Sequence, residues 1–373
     1  MKCKLSEIAI ITMGQSPKGS SYNANKEGKP FLQGRKTFGR IYPYIDTWTT
    51  EPNRMAQKGS ILMSVRAPVG DVNIANNEIC IGRGLCSINA KNGNNNYLYY
   101  LLLNSKTNIV NKSSGTVFDS INREQLENLE INAHNEDEQR KISRILSKID
   151  EKIELNTHTN NNLYNMCNVV FHNYIDKYSE QIEYTKIIDI ADRVITGKTP
   201  STKNEEFWNG DIPFITIPDM HNQVFTIDTE RTISKVGAKS LIPKNSISVS
   251  CIATVGLVSI STEESQTNQQ INSIVLKNDY DLYYLFEFLS EQESFMKNIA
   301  GGSTTYNINK TTFENIEVPY LPQNIVQEFH NTVCKLFDKI KLNQLENKNL
   351  EQLRDTLLPK LMNGEIDLDK IEI

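Results

Sequence analysis

The residues best suited to chemistry in this 373-residue chain are hydrogen-bond donors on turn-rich segments, not paired acids and bases. Gln33-Gly34-Arg35-Lys36-Thr37, followed by Phe38-Gly39-Arg40, sets amide, guanidinium and ammonium groups beside glycines that permit close backbone approach. Arg66 and Arg83 each follow an apolar run. Lys198, Thr199, Ser201 and Lys203 form a polar loop after Gly197, and Gln269-Gln270 could grip a flat edge through both carboxamide atoms. Two loops rich in small donors contain Ser114 and Thr116, and Ser303, Thr304 and Thr305. Such side chains read base edges and phosphates in nucleic acid, arginine favouring guanine and glutamine favouring adenine. Each of these segments also has a plainer reading as a solvated turn.

Motifs for catalysis are missing. There is no G-x-G-x-x-G, no G-x-S-x-G and no N-P-P-Y-type aminomethyltransferase motif. Thr196-Gly197-Lys198-Thr199 looks like the end of a phosphate-binding loop, but the upstream glycine of that motif is replaced by Asp192. His134, His158, His172, His221 and His330 lack metal-ligand spacing, and the six cysteines contain no C-x-x-C pair. The reading is a non-catalytic chain without a metal site.

Net charge is −5, yet it is unevenly spread: +6 over residues 1–133, −2 over 134–180, −7 over 181–320 and −2 over 321–373. Phosphate contacts need local positive charge, so the first segment suits a nucleic-acid partner and the third counts against one. No run of 18 apolar residues could span a membrane, and the N-terminal residues lack a signal-peptide pattern. A cytoplasmic chain with reduced thiols is expected.

The elements that carry these loops come twice. Gly14-Gln15-Ser16-Pro17 matches Gly197-Lys198-Thr199-Pro200, and Pro30-Phe31 matches Pro213-Phe214, at a spacing of 183. Ser60 to Ser64 matches Ser246 to Ser250 at 186, and Leu126 to Ile131 matches Phe313 to Val318 at 187. A period this long means two copies of one large unit. Each copy begins with about 130 residues of short apolar runs broken by Gly, Pro, Asn and Ser, which predicts strands, with a short helix at 97–103 and at 282–289.

Each copy then changes character. From Glu136 to about Ile175, and from Gln323 to Leu358, there is no Gly or Pro, and apolar residues recur at helical spacing. Ile142, Leu146, Ile149, Ile153 and Leu163 correspond to Phe329, Val333, Leu336, Ile340 and Leu350, with Leu357 continuing the second row. Heptad spacing predicts coiled-coil pairing of two helices, each roughly 60 Å long at 1.5 Å per residue. Asn156 and Asn343 interrupt the rows at equivalent positions and are expected to face each other if the helices run antiparallel, or to be solvated if the seam opens. The fold class is α+β: two similar recognition domains (1–133 and 181–320) separated by two long antiparallel helices (134–180 and 321–373).

Leu353-Arg354-Asp355-Thr356-Leu357-Leu358-Pro359-Lys360-Leu361-Met362-Asn363-Gly364-Glu365-Ile366 closely resembles the C-terminal segment of type I restriction–modification specificity subunits. The unit openings and Thr267 to Ile274 resemble the same family. That resemblance implies two target recognition domains, each reading half of a split double-stranded DNA site. It implies helices that set the gap and dock two adenine methyltransferase subunits, with two restriction subunits in complexes that cleave. It places S-adenosylmethionine, ATP and Mg²⁺ on those partners. One departure is that the first copy lacks the Leu-Pro-Lys-Leu-Met-Asn-Gly ending, so the terminal copy is expected to pack near the N-terminus. The competing reading is a coiled-coil scaffold that binds proteins and has no DNA role.

Overall fold

A computed structural model describes residues 2–113, 120–221, 223–301 and 306–370. The chain divides into two compact units, Met1–Glu151 with Glu351–Ile373, and Lys152–Leu350. Each unit therefore joins one copy of the strand-rich region to segments of both long helices.

The first unit is built on an antiparallel sheet ordered Ala9–Met13, Leu85–Ala90, Ile61–Ser64, Val72–Ile74. Ile61 to Ser64 is buried at every position because both faces of the strand are covered. Ile61 and Met63 pack towards the helix Asn95–Asn104, while Leu62 faces a smaller cluster with Leu32, Ile79 and Ile81. A second sheet supplies that cluster, with Lys29–Leu32 running parallel to Ile79–Ile81. The helix Asn95–Asn104 starts where the Asn94 side chain accepts from the Tyr97 N–H, and it buries Tyr97 through Leu102.

The second unit repeats the plan. Ala191–Thr196, Ile271–Leu276, Ile247–Ser250, Val258–Ser261 and Phe225–Thr226 form the main sheet, and Asp281–Ser290 is the short helix. Here the buried serines of the central strand are satisfied, Ser248 by Ser273 at 3.0 Å and Ser250 by the Leu257 N–H at 2.9 Å.

The duplication extends to single hydrogen bonds. Leu5 N–H donates to Leu129 O and Ile187 N–H to Ile316 O; Gly70 N–H donates to Ser64 O and Gly256 N–H to Ser250 O. Both glycines take a left-handed conformation, φ +88 and +94, that other residues adopt only under strain.

The long helices are Glu136–Lys177 and Gln323–Met362. Asn135 and Glu138 cap the first reciprocally, and Glu136 and Asp137 add negative charge where the helix N-terminus favours it. The second helix runs past Pro359 to Met362, four residues beyond the predicted end, and closes at Gly364 with φ +71. Proline there removes one donor and crowds the Asp355 carbonyl, a cost confined to the last turns of the helix.

Within the second unit the two helices pair antiparallel, with Asn156 against Asn347 and Tyr174 against Glu328. Within that pairing Val326, Phe329, Val333, Phe337 and Ile340 of the second helix are buried; Leu336, Leu350 and, in the first unit, Leu357 are only half-buried. On the first helix Ile142, Leu146 and Ile153 are buried, and Ile149 and Leu163 half-buried.

The asparagine layer differs from its expected form. Asn156 and Asn343 are both buried, but they do not bond to each other. Asn156 Nδ2 donates to Asn347 Oδ1 at 2.9 Å and Asn343 Nδ2 donates to Asn160 Oδ1 at 2.8 Å. Asn160 and Asn347 then reach the carbonyls of Ile340 and Ile153, which are themselves equivalent positions. The antiparallel crossing offsets the matched residues by one helical turn, so each asparagine meets the partner's asparagine from the neighbouring turn. Asn343→Ala should leave Asn160 short of a partner and cost about 1–3 kcal/mol in denaturant unfolding; no loss would mean the layer is solvated.

In the first unit, Leu358, Leu361 and Met362 share one core with Cys3 and Leu5, and Lys141 pairs with Asp369 at 2.6 Å. The terminal segment thus packs beside the N-terminus of its own unit.

Candidate nucleic-acid interface

In the first unit five chain segments converge through backbone bonds. Gly14 N–H donates to Leu85 O at 2.9 Å and Gly82 N–H to Leu32 O at 2.8 Å. Val65 N–H donates to Gly84 O at 2.9 Å, and Ile121 N–H to Val65 O at 3.0 Å. The second unit repeats all four: Gly197 to Ile271, Asn268 to Ile215, Cys251 to Gln270 and Ile308 to Cys251. Glycine opens the shared Gly-x-x-Pro turn for a steric reason. A Cβ at Gly14 would lie 2.2 Å from Gly82 O, and one at Gly197 2.1 Å from Asn268 O.

This frame brings Gln33, Gly34, Arg35, Lys36, Arg66 and Arg83 to one end of the first unit's sheets. Gln33, Lys36, Arg66 and Arg83 are exposed, and among the described residues no carboxylate pairs with Lys36, Arg66 or Arg83. Arg35 is also exposed but pairs with Asp71, which holds Lys106 at 2.7 Å as well, so much of its charge is offset. Arg40 is a correction: its guanidinium donates to Asp150 Oδ1 at 2.7 Å and Asp150 O at 3.2 Å, which turns it towards the long helix and away from any ligand at the loop tips.

In the second unit Lys198, Thr199, Ser201, Lys203 and Gln269 are exposed at the equivalent end. Lys198 O accepts from Gln266 Nε2 at 2.6 Å and Ser201 O from the Trp208 indole at 3.1 Å, so the backbone of this loop is anchored while its side chains point outward. Gln270 is half-buried and accepts from Asn268 at 3.2 Å, which makes it a loop brace. Ser114, Thr116, Ser303, Thr304 and Thr305 lie outside the described residues.

Sequence reasoning passes over two groups. Ser16 Oγ donates to Gln33 Oε1 at 2.9 Å and accepts from Arg83 N–H at 3.1 Å. Its signal is visible as the hydroxyl shared by Ser16 and Thr199 in the matched turns. Asp71, half-buried beside Arg35, leaves no pattern to find.

The matched positions differ in charge: Arg66 and Arg83 of the first copy become Ile252 and Gln269 in the second. Among the described residues no group of acidic, His or Cys side chains could hold a metal ion, and no helix is long and apolar enough to cross a membrane. The arrangement defines a duplicated surface reader, one frame built twice to present different donors.

The chain belongs to the family of the type I restriction modification DNA specificity domain, whose model matches residues 1–165 and 179–353. It is 33% identical to the type I restriction enzyme HindI specificity subunit of Haemophilus influenzae, over 72% of this chain and 77% of that one. It is 29% identical to the type I restriction enzyme MjaIX specificity subunit of Methanocaldococcus jannaschii, over 85% and 80%. The crystal structure of a type I restriction–modification S subunit from M. genitalium shares the fold, with a TM-score of 0.62 at 18% identity, covering 97% of this chain and 95% of that one. The chain is therefore a non-catalytic DNA-recognition component, and the protein-binding scaffold without a DNA role is set aside.

Proposed function

We propose that the chain reads a bipartite double-stranded DNA site, one half with each recognition domain, as the specificity subunit of a type I restriction–modification complex. The observation that supports this best is the repeated backbone frame with unlike side chains at its exposed end. A duplicated scaffold with the same exposed residues would read the same sequence twice; this one has Arg66 and Arg83 on one copy where the other has Ile252 and Gln269.

In this reading the paired helices set the gap between half-sites and dock two adenine methyltransferase subunits, joined by two restriction subunits when the complex cleaves. S-adenosylmethionine, ATP and Mg²⁺ act on those partners, in the cytoplasm. Lys36, Arg66 and Arg83 supply most of the first domain's positive charge towards DNA, with Lys198 and Lys203 in the second. The acidic balance of residues 181–320 means that the methyltransferase partners add phosphate affinity, and that the chain alone binds DNA weakly.

The test is co-expression with the methyltransferase subunits in a host free of such modification, followed by mapping of methylated adenines. A gapped motif with two unlike halves is the expected result; methylation without a motif, or none, rejects the reading. For the assembled complex, Lys36→Ala, Arg66→Ala and Arg83→Ala combined should lower the slope of log affinity against log salt by roughly 2–3, about 0.9 for each phosphate left without its cation. An unchanged slope would mean these cations do not meet the DNA backbone.

A further inference from the structure

In both copies a glutamine carboxamide is held by the hydroxyl that follows the shared glycine, although the two glutamines come from different segments. In the first copy Ser16 Oγ donates to Gln33 Oε1 at 2.9 Å, and Gln33 directly follows the strand Lys29–Leu32. In the second copy Thr199, the residue matching Ser16, donates to Gln269 Oε1, and Gln269 stands where the first copy has Arg83. The residue matching Gln33 is Thr216, whose hydroxyl turns instead to Asp219 at 2.6 Å.

The two copies also differ in the residues beside this turn. A Cβ at Gly82 would lie 2.8 Å from Gln33 Oε1, and one at Gly84 2.6 Å from Gln33 O. Gly82 thus leaves space for the Gln33 side chain, and Gly84 for the backbone of residue 33. The second copy has Asn268 and Gln270 at those places, and its carboxamide comes from the loop itself. Both glutamines are exposed, and the backbone bonds around them are the same.

We infer that these two hydroxyl-held glutamines are a matched pair of base readers, each docking the major-groove edge of one adenine, one in each half-site. An adenine offers an N7 acceptor and an N6 donor there, and a glutamine can meet both at once. Nε2 donates to N7, and Oε1 accepts from the N6 amino group with the lone pair that the Ser16 or Thr199 hydroxyl leaves open. That hydroxyl also fixes which way the amide faces, so less rotamer freedom is lost on binding. The inference rests on the reading of the chain as a DNA-recognition subunit and goes beyond it by naming one residue and one base for each half.

The test uses the chain assembled with its methyltransferase subunits. The motif is first mapped for the natural protein, and competition binding is then measured on duplexes varied one base pair at a time. Gln33→Ala should flatten the preference at a single A·T pair in one half-site, from roughly 5- to 150-fold to near none, with the other half unchanged. Gln269→Ala should do the same in the other half. Gln33→Glu should move the preference at that pair towards cytosine, whose amino group a carboxylate accepts. Ser16→Ala and Thr199→Val, which leave the glutamines in place, should weaken the same two preferences, and they carry the test should an alanine variant fail to assemble. Uniform weakening on every duplex, an unchanged profile, or a flattened G·C pair would each overturn the inference. If the natural complex yields no motif at all, the broader DNA-recognition reading fails instead, so the two failures are distinct.

Discussion

Asp150→Ala is expected to destabilise the first unit by about 3 kcal/mol or more, because it strips a buried carboxylate from three groups built around it. Asp150, 4% exposed, accepts from Arg40 at 2.7 Å, from Arg354 at 3.0 Å and from the Tyr100 hydroxyl at 2.6 Å. Burial, and then the charge of Asp150, pushes the Tyr100 hydroxyl well above its ordinary range, so it stays a donor at any working pH. Arg354 keeps Asp355 at 2.8 Å, but the Tyr100 hydroxyl, buried beside Tyr99, loses the carboxylate it donates to. Asp150→Asn, which retains an acceptor of the same shape, should lose less. Denaturant unfolding at neutral pH decides it, and a loss under about 1 kcal/mol for the alanine variant would show the cluster to be solvated. The second unit supports a packing comparison: the positions matching Asp150, Tyr100 and Arg354 are Phe337, Phe286 and Cys167, an apolar set whose two rings meet edge-on at 5.8 Å. The same frame therefore accepts either a satisfied polar cluster or an apolar one, and alanine leaves neither.

The second large effect concerns pH. Glu287 is fully buried on the helix Asp281–Ser290, with one oxygen unpartnered and the other accepting from Asn168 at 3.3 Å. Burial, opposed by that hydrogen bond and helped by the charge of Glu291, pushes its carboxyl up to about 8. The folded chain thus holds a proton that the unfolded chain releases near its ordinary 4.5. Stability from this group is full below pH 4.5 and falls as pH rises towards 8, by at most about 1.4 kcal/mol per unit, levelling off once both states are ionised. Leu101 fills the matched place in the first copy, so an apolar side chain fits this packing. Glu287→Leu should therefore match or exceed the natural chain near pH 5 and exceed it by roughly 2 kcal/mol or more at pH 8.5. Thermal unfolding against pH reads the difference directly; parallel curves for the two proteins from pH 5 to 8.5 would refute the argument.

Much of the architecture is legible in the sequence because it depends on periodicity. The matched turns and strands at offsets of 183 to 187 announce two copies, and the structure repeats them down to the bond from Gly14 to Leu85 and from Gly197 to Ile271. Long stretches without Gly or Pro, apolar at helical spacing, suffice for the long helices. The exposed loops at 33–36, 83, 198–203 and 269 stand out from composition alone. What fails does so at the level of single partners. Heptad spacing marks a face but not its rotation, so it favours Leu336 where Phe337 goes deepest.

The amino-acid sequence by itself determined the duplication, the two helical struts, the donor-rich loops and the family, because each is written in local pattern or in self-comparison. Only the tertiary structure decided that Arg40 belongs to Asp150, that the asparagines bond one turn off their equivalents, and that Gln33 and Gln269 answer to equivalent hydroxyls. Those are pairings between residues from 17 to 191 positions apart, set by strand register, helix rotation and the space a missing Cβ leaves, none of which a local pattern encodes.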